Sequence, residues 1–284
     1  MARFRNTAAA LGVLLAGVVG AAASVQAATC RDPAGFEKWL GDIRREALAQ
    51  GISARAVEAG LAGVSFDQAT MRRDHGQGVF RQSFEQFSGR MISPSRVNGG
   101  QARLRQYAGV LSRIESQYGV PGPVLMAIWG LETDFGAVRG QGFSIMRSVA
   151  TLAFDCRRTE RFTGELFAGL KIIDRGDLGA SELRGGWAGE IGQTQFMLSS
   201  YLRYAVDGDG DGRRDLVRSP ADVLASTANY LRGHGWQRGA GWEPGQPNFA
   251  VIREWNKSEV YARTVAALAT RIAGGGRSAG RGSE

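Results

Sequence analysis

Ile128-Trp129-Gly130-Leu131-Glu132-Thr133-Asp134-Phe135-Gly136 sets one carboxylate at the end of an apolar run. Just upstream, Gly119-Val120-Pro121-Gly122-Pro123 is a turn cluster. Pro123 suits the first position of a helix, where its missing N–H does no harm. Val124, Ile128 and Leu131 then share one helical face, and Gly136 is placed to end the helix. Glu132 follows Leu131, so it falls at the margin of the buried face. A carboxyl there is partly desolvated, which raises its pKa. A raised pKa is what a general acid needs near neutral pH. The competing explanation, on spacing alone, is a glutamate that caps a neighbouring helix or pairs with an arginine.

Working outward, most of the chain reads as helix. Phe36, Trp39, Leu40, Ile43 and Ala47 recur at helical spacing, as do Leu104, Tyr107, Val110, Leu111, Ile114 and Tyr118 on one longer segment. Asp222 to Leu231 and Val260 to Ile272 predict two more helices. Alternating patterns are few; Asn248 to Ile252 is the candidate strand. No internal repeat or interdomain linker is visible. From Gly274 the chain is Gly, Ser and Arg, the composition of a disordered tail over 274–284.

At the other end, Arg3 and Arg5 precede a nearly apolar stretch from Ala8 to Ala23, and Val25-Gln26-Ala27 offers small residues for cleavage. This is the layout of a cleavable secretory signal over 1–27, with a membrane-anchor helix as the alternative. Export would place Cys30 and Cys156 in an oxidising compartment, where a disulfide persists. The rival use of Cys30 is lipid attachment, but Ala27 and Thr29 stand where such signals favour Leu and a Gly or Ala. Two histidines, His75 and His234, form no metal-ligand pattern, which argues against a zinc amidase or peptidase. Gly-x-Ser-x-Gly and Cys/His signatures are missing as well. The formal net charge is +8, scattered among acids with no basic stripe, so a nucleic-acid role has no support and a polyanionic wall is a fitting partner.

Asp207-Gly208-Asp209-Gly210-Asp211-Gly212-Arg213-Arg214-Asp215 matches the first nine positions of an EF-hand loop. Asp207, Asp209 and Asp211 fill positions one, three and five, Gly212 the bend, and Arg213 the carbonyl position. Asp215 stands at position nine. Position twelve holds Arg218 where an acid is expected, so the ion is weakly held or another carboxylate, such as Asp222, completes the shell. Calcium is the expected ion.

Several segments taken in order resemble the membrane-bound lytic murein transglycosylase B family. They are Gly130 to Gly136; Ala150-Thr151-Leu152-Ala153-Phe154 before Arg157-Arg158; Gly189-Glu190-Ile191-Gly192-Gln193-Thr194-Gln195-Phe196-Met197; Ser199-Ser200-Tyr201 with the acidic loop; Ala228 to Leu231; Gly233 to Trp236; and Asn248-Phe249, Val251-Ile252 and Trp255-Asn256. The similarity runs from about Gly78 to Arg271. It implies a mainly α, lysozyme-like catalytic core over 28–273, with a small irregular or β portion carrying the EF-hand-like loop. It also implies non-hydrolytic cleavage of the β-1,4 bond between N-acetylmuramic acid and N-acetylglucosamine, giving 1,6-anhydromuramoyl ends. Glu132 would act as acid and then base. Gln195 and Asn256 match cleft positions, and Arg157 and Arg158 match a pair suited to peptide-stem carboxylates, with an ordinary surface ion pair as the alternative. Phe196, Trp187 and Trp255 would wall the sugar site or pack the core.

Departures are also visible. Gly186 stands where the best-known members carry Ser, Arg161 where an aromatic is found and Trp255 where a Tyr is found, while Glu190 adds a carboxylate to the cleft motif. The resemblance assigns calcium a structural role and catalysis no cofactor. The expected protein is periplasmic and monomeric, acting on peptidoglycan glycan strands. A lysozyme-type muramidase using Glu190 is the alternative enzyme, and a non-catalytic wall-binding protein the alternative outside enzymology.

Overall fold

The computed structural model describes residues 32–76, 82–138 and 142–274. The expected secretory segment, Cys30 and residues 275–284 lie outside them, and so does the pairing of Cys30 with Cys156.

The described residues form α1 (Phe36–Ala49), α2 (Ala54–Leu61), α3 (Gln68–His75), α4 (Phe84–Met91), α5 (Pro94–Gln106), α6 (Ala108–Tyr118) and α7 (Gly122–Thr133). After these come α8 (Ile145–Phe154), α9 (Thr159–Arg175), α10 (Leu198–Tyr204), α11 (Pro220–Gly233), α12 (Pro247–Trp255) and α13 (Glu259–Gly274). Two-residue strands, β1 (Phe143–Ser144) and β2 (Arg184–Gly185), pair antiparallel with Phe143 opposite Gly185. Side-chain caps mark many of the starts: Ser53, Asp67, Ser83, Ser93 and Ser219 each accept an amide of the helix they precede.

α7 is the centre of the molecule. Ten of its twelve residues are buried, from Gly122 through Thr133. A helix that is apolar on every side belongs in a core, and α13, α5, α6 and α11 surround this one. Pro123 sits in its first turn, as expected. α9 forms a second layer, packed on α8, α10 and α2.

Three local expectations change. The single helix expected over Leu104–Tyr118 is two helices, because Tyr107 leaves helical geometry (φ −103, ψ 19) and sets its ring 5.8 Å from Trp129. Asn248–Ile252 is not a strand but lies within α12; Asn248 is buried and its side-chain amide donates to the carbonyls of Gln237 and Ala240 at 2.9 Å. Gly136 does not itself end α7, which stops at Thr133. Among the described residues, no helix is long and apolar enough to cross a membrane.

Candidate active site

Three left-handed residues in a row follow α7: Asp134 (φ 50), Phe135 (φ 61) and Gly136 (φ 80). Only the last is a glycine. Holding a residue with a side chain there costs about 1–3 kcal/mol. Phe135 offsets this by burying its ring to 7% exposure against Trp129, edge-on at 5.8 Å; full burial of such a side chain contributes about 1.5–3 kcal/mol. Thr133 locks the turn: its hydroxyl donates to the Gln193 carbonyl at 2.5 Å and accepts the Gly136 amide at 3.0 Å. Asp134 faces the Arg96 guanidinium at 3.4 Å. The strain begins two residues after Glu132, directly behind the last turn of α7 that presents it.

Glu132 is half-buried. The Trp255 indole N–H donates to its Oε1 at 3.1 Å, and the Tyr261 hydroxyl donates to the same oxygen at 2.6 Å. Among the described residues no donor reaches Oε2. Burial pushes the Glu132 carboxyl above its usual range; the two donors oppose this and the Glu190 charge adds to it. The Tyr261 hydroxyl is itself pushed up, by burial first and then by the charge of Glu132. Sequence reasoning missed Tyr261. It fits the apolar stripe of α13 as a core residue, and no local pattern marks its hydroxyl. Trp255 was expected as a wall for sugar, and its indole donor was not foreseen.

One wall of the site is the segment from Gly185 to Met197. Gly186 N–H donates to the Glu190 carbonyl at 2.8 Å, and Ile191 and Phe196 exchange backbone bonds at 2.8 and 2.9 Å. Gln193 staples this segment to α7: its side chain accepts from the Trp129 indole at 3.0 Å and donates to the Val217 carbonyl at 3.0 Å. Gln195 sits at φ 55 and donates from its side chain to the Gly192 carbonyl at 2.7 Å. A cavity of about 510 Å³ opens beside it, with Thr133, Gln193, Gln195, Glu182, Arg184 and Arg218 in its lining. Glu132 itself lies one residue beyond that lining. Phe196 is a correction: at 2% exposure it offers no face to a sugar. It packs edge-on against Trp255, 5.2 Å between centroids, and so backs the residue that touches Glu132. Trp187 is half-buried and packed against the core.

Asn256 directly follows Trp255. Its side chain is exposed, and its Oδ1 accepts the Ser258 amide at 3.0 Å. Arg157 and Arg158 are already engaged. Both pair with the buried Asp74 carboxylate of α3, Arg157 also reaches Asp155 at 3.2 Å, and Arg158 lies over the Phe162 ring at 4.9 Å. The ion-pair alternative therefore describes their present contacts, although the partner acid is buried.

In the acidic loop, the carboxylates of Asp207, Asp209 and Asp211 bring one oxygen each within 4.8 Å of one another. Asp207 is held below its usual range, chiefly by the Gly212 amide, which donates to Oδ2 at 2.8 Å while the Gly210 amide donates to Oδ1 at 2.6 Å. This half fits a hard cation. Asp215 is a correction: its carboxylate turns to the amides of Val217 and Arg218 at 3.0 and 2.9 Å and to the Arg218 guanidinium at 2.5 Å, away from the triad. Asp222 is no substitute. It is fully buried, and its two oxygens accept the amides of Gly208 and Asp215 at 2.7 and 2.6 Å. Arg218 at position twelve also reaches Glu182 at 2.6 Å, so the second half of the loop is closed by an ion pair.

A helical core that presents a single held carboxylate beside a polar cleft is the lysozyme-like arrangement. Residues 35–245 match the family model described as the transglycosylase SLT domain, and the chain belongs to that family. It is 40% identical over 167 residues to membrane-bound lytic murein transglycosylase B of Escherichia coli (strain K12). That match covers 56% of this chain and 46% of the relative, so the chain spans less than half of that protein. The crystal structure of SltB3 from Pseudomonas aeruginosa in complex with NAG-NAM-pentapeptide is 35% identical, with a TM-score of 0.79 over 85% of this chain and 80% of that one. The Escherichia coli lytic transglycosylase Slt35 in complex with calcium is 28% identical, with a TM-score of 0.73 over 83% and 93%.

Proposed function

We propose that the chain is a lytic transglycosylase that breaks the β-1,4 bond between N-acetylmuramic acid and N-acetylglucosamine in peptidoglycan and leaves 1,6-anhydromuramoyl ends. The observation that carries this reading is the Glu132 carboxyl, with both donors on Oε1 and Oε2 left open. In the first step the proton on Oε2 passes to the glycosidic oxygen as its bond to the muramoyl C1 breaks, and positive charge develops at C1. Trp255 and Tyr261 stabilise the carboxylate left behind. In the second step that carboxylate takes the proton of the muramoyl C6 hydroxyl as its oxygen closes on C1, which returns Glu132 to its starting form. The nucleophile belongs to the substrate, so the step has the entropy advantage of an intramolecular reaction. A hydrolase would need a second carboxylate, to activate water or to form a covalent intermediate. The relatives named above support the choice: one is a lytic murein transglycosylase and another holds a NAG-NAM-pentapeptide.

Gln195, Asn256 and Trp255 are the residues assigned to the sugars; the two amides offer donors and acceptors to N-acetyl and hydroxyl groups. Arg157 and Arg158 are assigned to stem-peptide carboxylates, which would compete with Asp74 for them. Asp207, Asp209 and Asp211, with the Arg213 carbonyl, would hold a structural calcium that cross-links the loop and takes no part in the reaction; the calcium-bound relative supports this site. The enzyme acts in the periplasm, where its substrate lies. Digestion of purified sacculi and mass spectrometry of the released muropeptides test the reading. Ends lighter by one water than hydrolysed ends are expected. Reducing muramic acid ends that vanish in Glu190→Gln would establish the muramidase, and no release at all would leave a wall-binding protein.

A further inference from the structure

The hydrogen bonds of Gln193 divide between two parts of the fold. Its backbone N–H donates to the Leu216 carbonyl at 2.9 Å, and its side-chain amide donates to the Val217 carbonyl at 3.0 Å. Its side-chain oxygen accepts the Trp129 indole N–H at 3.0 Å, and its backbone carbonyl accepts the Thr133 hydroxyl at 2.5 Å. Its donors therefore serve the segment after the acidic loop, and its acceptors serve α7. The amide has one workable orientation, since the flipped form would set N–H against N–H at Trp129 and oxygen against oxygen at Val217. The close approach to residue 216 needs a glycine next door: Gly192 lies at φ 79, and a Cβ there would meet the Leu216 carbonyl oxygen at 2.5 Å.

Trp129 and Thr133 stand one helical turn apart on one face of α7, and Glu132 lies inside that turn. The turn is the last of the helix, and helix ends fray unless something outside holds them. Gln193 holds this one on both sides of the acid. Three residues further on, Phe196 is tied back by its bridge with Ile191 and packs on Trp255 at 5.2 Å between centroids, and Trp255 donates to Glu132 Oε1 at 3.1 Å. One short segment thus grips the helix that carries the acid and backs the donor that the acid accepts from.

We propose that Gln193 is a positioning residue for the cleavage reaction: it fixes the last turn of α7 against the segment that backs Trp255, and so sets where the Glu132 carboxyl stands relative to its donor and to the bond it protonates. This rests on the transglycosylase reading above. Gln193 also lines the cavity beside the site, so a direct hold on substrate is the competing role. The two roles separate in kinetics. A group that only aligns the acid is felt in kcat, whereas one that binds substrate equally in ground and transition states is felt in KM.

The test is kcat and KM on solubilised peptidoglycan strands, well below the melting temperature, for Gln193→Met, Thr133→Val and Thr133→Ser, with the product ends read in parallel. Methionine fills the space of Gln193 but leaves the Trp129 N–H and the Val217 carbonyl unpaired. Gln193→Met should lower kcat by about 10–100-fold with KM little changed, since a misplacement of about 1 Å can cost about a hundredfold. Thr133→Val removes the other hold on the turn and should lower kcat in the same way, and Thr133→Ser, which keeps the hydroxyl, should retain most of it. A rise in KM with kcat retained in Gln193→Met would make Gln193 a substrate contact and overturn the inference. A lower melting temperature with both constants unchanged would leave only a structural staple and overturn it too. Should Gln193→Met fail to fold, the threonine pair decides: equal kcat in Thr133→Val and Thr133→Ser overturns the inference, and loss in the first alone supports it. Reducing ends from the wild type would instead overturn the transglycosylase reading.

Discussion

The end of α7 and the acidic loop are both turns built around carboxylates, and they treat them in opposite ways. At α7 the chain surrounds Glu132 with core, follows it with a left-handed turn in which two of three residues are not glycine, and gives it two side-chain donors on one oxygen. The balance leaves its carboxyl above the usual range. In the acidic loop Asp209 and Asp211 are exposed, and backbone amides fold in on the half-exposed Asp207 and hold it below that range. One environment makes a carboxyl group that keeps a proton; the other makes a set of anions ready for a cation. The identity of the residue matters less than what surrounds it. The two turns are joined by Gln193, whose amide bonds the Leu216 carbonyl at 2.9 Å while its side chain holds Trp129 and Val217.

The comparison is broken most severely by Glu132→Gln. The amide keeps the size and the acceptor for Trp255 and Tyr261 but has no proton to give. Turnover of sacculi should fall by at least about 10²–10⁴-fold, the usual share of general acid–base catalysis. Circular dichroism should be unchanged; a variant that keeps more than about a tenth of wild-type activity would mean that Glu132 is not the acid. Stability should move the other way. The folded pKa of Glu132 lies above the unfolded value, so the folded state binds more protons between the two, and stability falls as pH rises through that window. The Gln variant escapes this loss. It should melt higher than wild type at neutral pH and equally at a pH below the ordinary carboxylate range.

Phe135→Ala removes the ring that offsets the strain behind Glu132. Phe-to-Ala changes in cores cost about 3–5 kcal/mol, and the alanine must still hold φ near 61. Urea melts should show a loss of at least about 3 kcal/mol. A loss under about 1 kcal/mol would mean that the left-handed turn is supported by Thr133 and Gln193 alone.

For the loop, the measurable quantity is linkage. Calcium at about a hundred times its dissociation constant should stabilise the native state by about 2.7 kcal/mol, and chelator should remove the gain. Asp209→Ala with Asp211→Ala should remove it too, with kcat well below the melting temperature little changed. Identical melting curves with and without calcium would show that Arg218, in closing the second half of the loop, has disabled the site.

The sequence carried α7, its proline start and its single acid, because a helix that must be core on every side leaves a run of apolar residues that nothing else explains. It carried the first half of the loop for a similar reason, since alternating acids and glycines have few other uses. What it could not carry is long-range. Tyr261 lies 129 residues from the carboxylate it holds, and nothing local separates its hydroxyl from an ordinary core tyrosine. The destination of Asp215 was hidden because nine-position spacing cannot tell a ligand from a partner for Arg218. The break at Tyr107 was hidden because the apolar stripe runs through it unchanged.

Tyr261→Phe should give the smallest and most discriminating effect. Phenylalanine keeps the buried ring against α7 and removes only the hydroxyl that donates to Glu132 Oε1 at 2.6 Å. That bond favours the charged carboxylate, so it works against burial and lowers the pKa of Glu132. Without it the pKa rises further, and the alkaline limb of kcat/KM should move to higher pH. The plateau should fall at the same time, because the carboxylate formed as the glycosidic bond breaks is then less stabilised. A hydrogen bond to a charged group contributes about 1.5–3 kcal/mol, part of which is already present in the ground state, so a drop of roughly tenfold is expected. The two changes have opposite senses on a pH profile, a lower plateau reaching to higher pH, and general unfolding would not produce that shape. A limb that stays in place or moves to lower pH would show that Tyr261 packs beside Glu132 without tuning it. Burial would then be left to set the acid with Trp255 and Glu190 alone.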